Sequence, residues 1–254
     1  YLCDRCGSNI RGSGYAASKA PQERDPTIFS LVETWINALS FSRMWTFAPE
    51  LKLASWGRSI AALILAALFI AFWRGTMSLI LLLLTTQAPI DSSLFLLLPQ
   101  RALDTLPVAL IATLASLPVS AGTWLATHLA GGKRDFKTHN HLIIVAFTAW
   151  LITAAFLVPL IIFIPYFLGD DQTSLMLLEV IPPVISATLG ISGAVWLIQA
   201  MRTAESLSLL QVIFSILIIV AAVAVLSLGS NVVLGGQLGE AFSHMVTQLF
   251  MPVP

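Results

Sequence analysis

The stretch 142–168, LIIVAFTAWLITAAFLVPLIIFIPYFL, decides the fold of this chain. Its 27 residues carry no charged side chain. An α-helix rises 1.5 Å per residue, so about 20 apolar residues cross the ~30 Å hydrocarbon core of a bilayer. The stretch therefore predicts a transmembrane helix.

Three more stretches have the same character, at 107–130, 175–201 and 207–228, and Glu179 is the single acidic residue inside any of them. The whole chain of 254 residues is 57% hydrophobic and 10% charged, whereas soluble domains carry about 25% charged residues. The sequence predicts an all-α, polytopic membrane helix bundle. A formal net charge of zero argues against nucleic acid as a partner.

The first span is harder to delimit, because Arg74 and Gly75 interrupt its apolar run. One helix over 59–86 would be about 42 Å long and would tilt, or kink at Gly75. Arg74 would then snorkel or find a partner. Two separate pieces are the alternative, but neither would span comfortably. We favour one long helix, which brings the expected total to about five transmembrane helices.

Lysine and arginine positions set the expected orientation. With five spans and the N-terminus inside, all eleven basic residues near the predicted cytoplasmic loops fall on one side, and the C-terminus lies outside. The eleven are Arg5, Arg11, Lys19, Arg24, Arg43, Lys52, Arg58, Lys133, Arg134, Lys137 and Arg202.

Two flanking segments complete the predicted organisation. Residues 1–26 are polar and read as a partial zinc knuckle with a flexible linker, and 27–50 read as an amphipathic interfacial helix ahead of the membrane domain at 51–230. The alternative for 27–50 is a soluble helix packed on the ends of the spans. The apolar residues of segment 27–50 recur at helical steps: Ile28, Val32, Trp35, Ile36 and Leu39.

The cysteine pair Cys3 and Cys6 has the spacing of one half of a tetrahedral zinc site. Two further ligands are needed and the chain has no other cysteine, so zinc is expected only with ligands upstream of Tyr1. The pair resembles the second knuckle of a short zinc ribbon. A redox pair is the alternative, although no βαβ pattern surrounds it.

The histidines offer one further cofactor candidate. His128 lies near the end of the second span, where it would ligate a pigment or haem, or simply snorkel. His139 and His141 are expected to be solvated in a basic loop. We find neither a Ser/His/Asp sequence signature nor a phosphate-binding loop, so the chain is predicted not to be an enzyme.

Small residues at four-residue steps predict close helix packing in lipid. One such stripe is Ala112, Ser116 and Ser120, and the other is Ser186, Gly190 and Ala194. The tail 231–254 has one apolar helical face, which predicts either docking on a partner or rest on lipid. That face comprises Leu238, Phe242, Met245, Val246, Leu249 and Phe250.

Residues 124–133, WLATHLAGGK, followed by DFK at 135–137 and a new apolar span, resemble the Yip (Ypt-interacting protein) domain, bacterial type. Pro182-Pro183 entering the fourth span, and the exit with Trp196 and Ala204-Glu205, fit the same layout. So do the aromatic helix and the zinc ribbon ahead of the first span. The resemblance covers roughly 27–228; Arg74 and the amphipathic tail depart from it.

The resemblance implies five spans, a cytoplasmic N-terminus, a bacterial cytoplasmic membrane and no catalytic site. We therefore expect a non-enzymatic membrane scaffold or an accessory subunit of a larger membrane complex, with the bilayer and another membrane protein as partners. The alternatives are a small transporter or channel, and a pigment- or quinone-binding subunit of a photosynthetic or respiratory complex.

Overall fold

The computed structural model describes residues 27–39, 47–86, 92–168 and 172–234. In these residues every secondary-structure element is a helix, which confirms the predicted all-α class. The eight helices of the described part are α1 (Ile28–Leu39), α2 (Ala48–Leu53), α3 (Trp56–Thr86), α4 (Ser92–Leu114), α5 (Ser116–Leu129), α6 (Phe136–Leu168), α7 (Gln172–Glu205) and α8 (Leu209–Leu234).

Four segments among the described residues are long and apolar enough to cross a bilayer. They are Trp56–Thr85, Leu97–Leu129, Phe136–Pro159 and Val180–Glu205. The apolar helix α8 follows them, which gives about five in all. The chain is an integral membrane helix bundle.

The first span is one continuous helix, α3, so the alternative of two separate pieces is wrong. Gly75 lies where α3 crosses α4. A Cβ atom on Gly75 would be 2.9 Å from the backbone nitrogen of Ala102. Glycine therefore permits a close approach of two helices at this position.

The second span begins earlier than its predicted start at residue 107, and it consists of two helices, α4 and α5, that meet at Ala115. Pro118 explains the break. Proline has no N–H to donate to the carbonyl of Leu114, four residues earlier, and its ring crowds that carbonyl. The chain resumes its helical course at Ser116.

Helix α6 lies at the centre of the bundle and packs against α3, α5 and α7. The four consecutive residues of α6 from Leu142 through Val145 are fully buried. Helix α4 pairs with α3 on one flank, and α8 packs on α5 and α7 on the other.

Helix α1 packs beside the start of α6. Leu31 and Trp35 face the bundle, whereas Phe29 is 83% exposed and Val32 and Ile36 also point away from it. The predicted single apolar stripe is therefore divided between two faces. The inner face packs on the bundle, as the alternative expected, and contact of the outer face with lipid stays a prediction.

Candidate functional site

Polar side chains gather at the end of the bundle where α6 begins. Asp135 caps this helix: its Oδ2 accepts a hydrogen bond from the Thr138 backbone N–H (3.2 Å) and its Oδ1 accepts one from the Thr138 hydroxyl (2.8 Å). These bonds hold the pKa of Asp135 below its usual value. His139 and His141 follow this cap in the first two turns of α6, and both are fully buried.

Glu50, on α2, is the centre of the first polar cluster and is 0% exposed. Its carboxylate accepts bonds from Arg58 Nε (2.7 Å), Arg58 Nη2 (2.8 Å) and Thr34 Oγ1 (2.7 Å), and lies 3.2 Å from His141 Nε2. Burial alone would raise the pKa of Glu50. The bonds from His141, Arg58 and Thr34 outweigh burial and lower the pKa to about 2.

Arg58 connects this cluster to α1. Its Nη1 donates to the carbonyl oxygen of Thr27 (3.0 Å) and its Nη2 donates to the hydroxyl of Ser30 (2.9 Å). One guanidinium therefore bonds α1 and α2 at once, a use for which its fixed fork of donors is suited. The Arg58–Glu50 pair fastens the N-terminal helices to the first span.

Glu205, at the end of α7, is the centre of the second cluster. Its Oε1 lies 3.0 Å from His139 Nδ1, and its Oε2 accepts the backbone N–H of Arg134 (2.9 Å). A Cβ atom on Gly132 would be 2.7 Å from the same Oε2, and Gly131 has a φ of +98°. The glycine pair lets the loop backbone close around a buried carboxylate.

Glu205 and His139 form a row with Thr123 of α5. His139 Nε2 is 3.0 Å from the Thr123 hydroxyl, so acid, imidazole and hydroxyl are linked as in nucleophilic hydrolases. Thr123 is only 3% exposed, however, and its hydroxyl also donates to the carbonyl of Val119 (2.9 Å). This oxygen is therefore buried and engaged by groups of the protein.

A second row repeats the arrangement around His141. Its Nε2 faces Glu50 and its Nδ1 is 3.1 Å from the Ser59 hydroxyl. Ser59 is 2% exposed and its hydroxyl donates to the carbonyl of Ser55 (3.0 Å). Both rows therefore join helices inside the protein.

The prediction that His139 and His141 are solvated is wrong. Positions two apart on a helix point about 200° away from each other, so the two imidazoles reach different neighbours, Glu205 and Glu50. The sequence analysis missed this pair of clusters. The available signal was the two acids, Glu50 and Glu205, that stand near the ends of the first and fourth predicted spans.

His128 is exposed at the end of α5, where its ring stacks on that of Trp124 with centroids 5.2 Å apart. The described residues include no group of three potential metal ligands among His, Cys, Asp and Glu. Cys3 and Cys6 lie outside the described residues, as do the tail positions Leu238, Phe242, Met245, Val246, Leu249 and Phe250.

The two small-residue stripes differ in where the structure places them. Ala112, Ser116 and Ser120 are buried within the bundle. Ser186, Gly190 and Ala194 are exposed, and a Cβ atom on Gly190 would meet no atom within 4 Å. Within the described residues, the prediction of a close contact at Gly190 is therefore wrong.

The close contact of α7 is made instead at Gly193. A Cβ atom there would be 2.8 Å from Nε1 of Trp150, which donates a hydrogen bond to the carbonyl of Leu189 (2.9 Å). Beside this contact lies a cavity of about 280 Å³ with a nearly all-apolar lining. Gly190 and Ala194 form part of its wall, with Val119, Phe147 and Leu197.

No protein-family model, curated protein or solved structure matches this chain.

Proposed function

We propose that the chain is a non-enzymatic membrane scaffold or an accessory subunit of a larger membrane complex, as its resemblance to the Yip domain implies. One observation carries the proposal. The buried carboxylates of Glu50 and Glu205 are engaged by internal partners, while α7 presents a small-residue face to its surroundings. Internally paired carboxylates stabilise the bundle, which suits a structural role. An exposed face of small residues suits the docking of another helix.

The open face of α7 is the proposed docking surface. It comprises Ser186, Gly190 and Ala194, with the cavity beside Gly193. Lipid tails are as apolar as leucine, so helices in a bilayer associate where small residues let backbones approach and side chains interlock. A partner helix would lie along this face and insert a large apolar side chain into the cavity.

Copurification tests the scaffold proposal. Affinity-tagged chain is extracted from native membranes in mild detergent, and its companions are identified and quantified by mass spectrometry. We expect one stoichiometric membrane protein, lost from Gly190→Leu and retained by Gly122→Leu. Gly122 is the matched control, because a Cβ atom there also meets nothing within 4 Å but lies on α5. Absence of any stoichiometric companion would contradict the proposal.

The tail remains a second proposed docking element. Its apolar face contains Phe242 and Phe250, and no lysine or arginine follows Arg202, so anionic lipid would not attract it. We expect Phe242→Asp with Phe250→Asp to release the companion while the spans stay folded. A companion retained by this double variant would leave the tail as a helix that rests on lipid.

Transport is the second candidate, because Arg74 is buried inside the first span and is only 7% exposed. A charged residue at such a depth is a functional candidate by default. Ion or solute flux into liposomes that contain the purified chain separates the two functions. Flux that Arg74→Gln abolishes would favour a transporter, and no flux above protein-free liposomes favours the scaffold.

A further inference from the structure

We infer that the loop between α5 and α6 binds the headgroups of anionic phospholipids. This loop and the first turn of α6, residues 130–137, are called the basic loop below. It presents three exposed cations, Lys133, Arg134 and Lys137. The inference concerns lipid, and it does not depend on whether the chain is a scaffold or a transporter.

The basic loop keeps a net positive charge at the surface because one of the two acids beside it, Glu205, is buried. Glu205 faces His139 and the Arg134 backbone, away from solvent. Asp135 is the exposed acid of the loop, and its carboxylate caps α6 through Thr138. Three cations against one acid create a positive surface that attracts anions.

Other charged groups at this end leave that balance positive. Glu50 is buried and paired with Arg58, and Lys52 of the same helix is exposed. Glu33 on α1 is an exposed acid and Arg202 on α7 is half-buried. Among the described residues at this end of the bundle, the exposed cations therefore outnumber the exposed acids.

Aromatic rings place the basic loop at headgroup depth. The Phe136 ring lies 6.0 Å from that of Trp56 and 5.5 Å from that of Trp124, between centroids. The indole N–H of Trp124 points to the carbonyl of Arg134 (3.5 Å). Tryptophan concentrates at the boundary between hydrocarbon and headgroups. Phe136 directly precedes Lys137, so the cations lie where lipid phosphates are found.

The backbone of the basic loop is held in place before any lipid arrives. Gly131 adopts a positive φ, and the backbone N–H of Arg134 donates a hydrogen bond to Glu205. Asp135 caps the N-terminus of α6. The phosphate contact therefore comes from the side chains of Lys133, Arg134 and Lys137. Only these side chains lose freedom on binding, which keeps the entropy cost low.

The test uses the full chain in nanodiscs of phosphatidylcholine with a minor fraction of phosphatidylglycerol. After transfer to mild detergent, mass spectrometry measures which lipids stay bound. We expect phosphatidylglycerol to be enriched over its share in the disc. One cation near an anionic surface is worth about fivefold in binding, so Lys133→Gln with Arg134→Gln and Lys137→Gln lowers the enrichment by about 100-fold at low salt.

Lys52→Gln is the control, since it removes one exposed cation outside the basic loop; it should leave the enrichment of phosphatidylglycerol nearly unchanged. Equal melting temperatures of wild type and triple variant in pure phosphatidylcholine verify the fold. If the triple variant is less stable there, Lys137→Gln alone replaces it, with an expected loss of about fivefold. Unselective lipid binding by wild type, or full enrichment in the variant, would overturn the inference. So would inorganic phosphate that displaces the bound phosphatidylglycerol.

Discussion

Removing the Glu50 carboxylate should destabilise the end of the bundle at which the polar side chains gather. In Glu50→Ala, Arg58 loses hydrogen bonds of 2.7 and 2.8 Å and remains as a buried charge. Breaking one partner of a buried ion pair costs about 3–5 kcal/mol, and the facing nitrogen of His141 also loses its acceptor. We expect the free energy of unfolding to fall by about 4 kcal/mol. Denaturant titration in mild detergent, followed by circular dichroism, measures the change.

Two further variants decide whether the loss of stability comes from breaking the buried Glu50–Arg58 pair. Glu33→Ala removes an exposed acid from α1 and should cost at most about 1 kcal/mol. The double variant Glu50→Ala with Arg58→Ala should lose less than the two single losses added together, because it leaves no unpaired charge. A loss below about 1 kcal/mol in Glu50→Ala, or strictly additive losses, would refute the reasoning.

Three more predictions concern the helix contact at Gly75, the pKa of Glu50 and the loop contact at Gly132. Gly75→Leu should destabilise the detergent-solubilised chain by about 1–3 kcal/mol, because its Cβ meets the α4 backbone, whereas Gly190→Leu should leave its melting temperature nearly unchanged. The pKa of Glu50 is lowered from 4.5 to about 2, so its ionisation stabilises the fold above pH 4.5 by about 3 kcal/mol. That stability is lost as pH falls toward 2, and acid titration of Glu50→Gln should lack this loss. Gly132→Ala should cost about 1–3 kcal/mol by displacing Glu205, seen in denaturant titration.

Equal results from the paired variants would contradict these predictions. If Gly75→Leu and Gly190→Leu are equally tolerated, the helices α3 and α4 do not touch at Gly75. If wild type and Glu50→Gln lose stability in parallel below pH 4.5, the Glu50 carboxylate is not the group that titrates. If Gly132→Ala is harmless, the loop does not close on Glu205.

The spans were predictable from sequence because their length and lack of charge leave the chain little choice of environment. The course of the long first helix followed from the same argument. Pro118 predicts a kink or the end of a helical turn, but the sequence does not place the break at Ala115. Transmembrane helices often tolerate proline, and only packing decides whether the helix bends or divides.

The polar clusters escaped the sequence analysis because their partners are distant along the chain. His139 pairs with Glu205, 66 residues away, and His141 with Glu50, 91 residues away. Local pattern assigns histidines beside Lys133 to a solvated loop. Only the tertiary fold shows that the acids come from two other helices.

The sequence analysis predicted a close helix contact at a glycine of α7, but it chose the wrong glycine. The stripe through Gly190 and the contact at Gly193 are three residues apart, and the part of α7 around them, residues 180–198, carries no charged side chain on any side. A uniformly apolar helix carries no amphipathic signal to tell which face meets the bundle. Trp150, on a different helix, selects Gly193.

Labelling from the two sides of the membrane tests the account most directly. Lys133→Cys in the basic loop and Asp171→Cys between α6 and α7 are introduced separately into a chain in which Cys3 and Cys6 are serine. If α6 crosses the bilayer and the basic loop lies in the cytoplasm, an impermeant thiol reagent labels the Asp171→Cys chain in intact cells, and labels the Lys133→Cys chain only after the cytoplasmic side is opened. Labelling of both chains from the same side would contradict the membrane-spanning bundle.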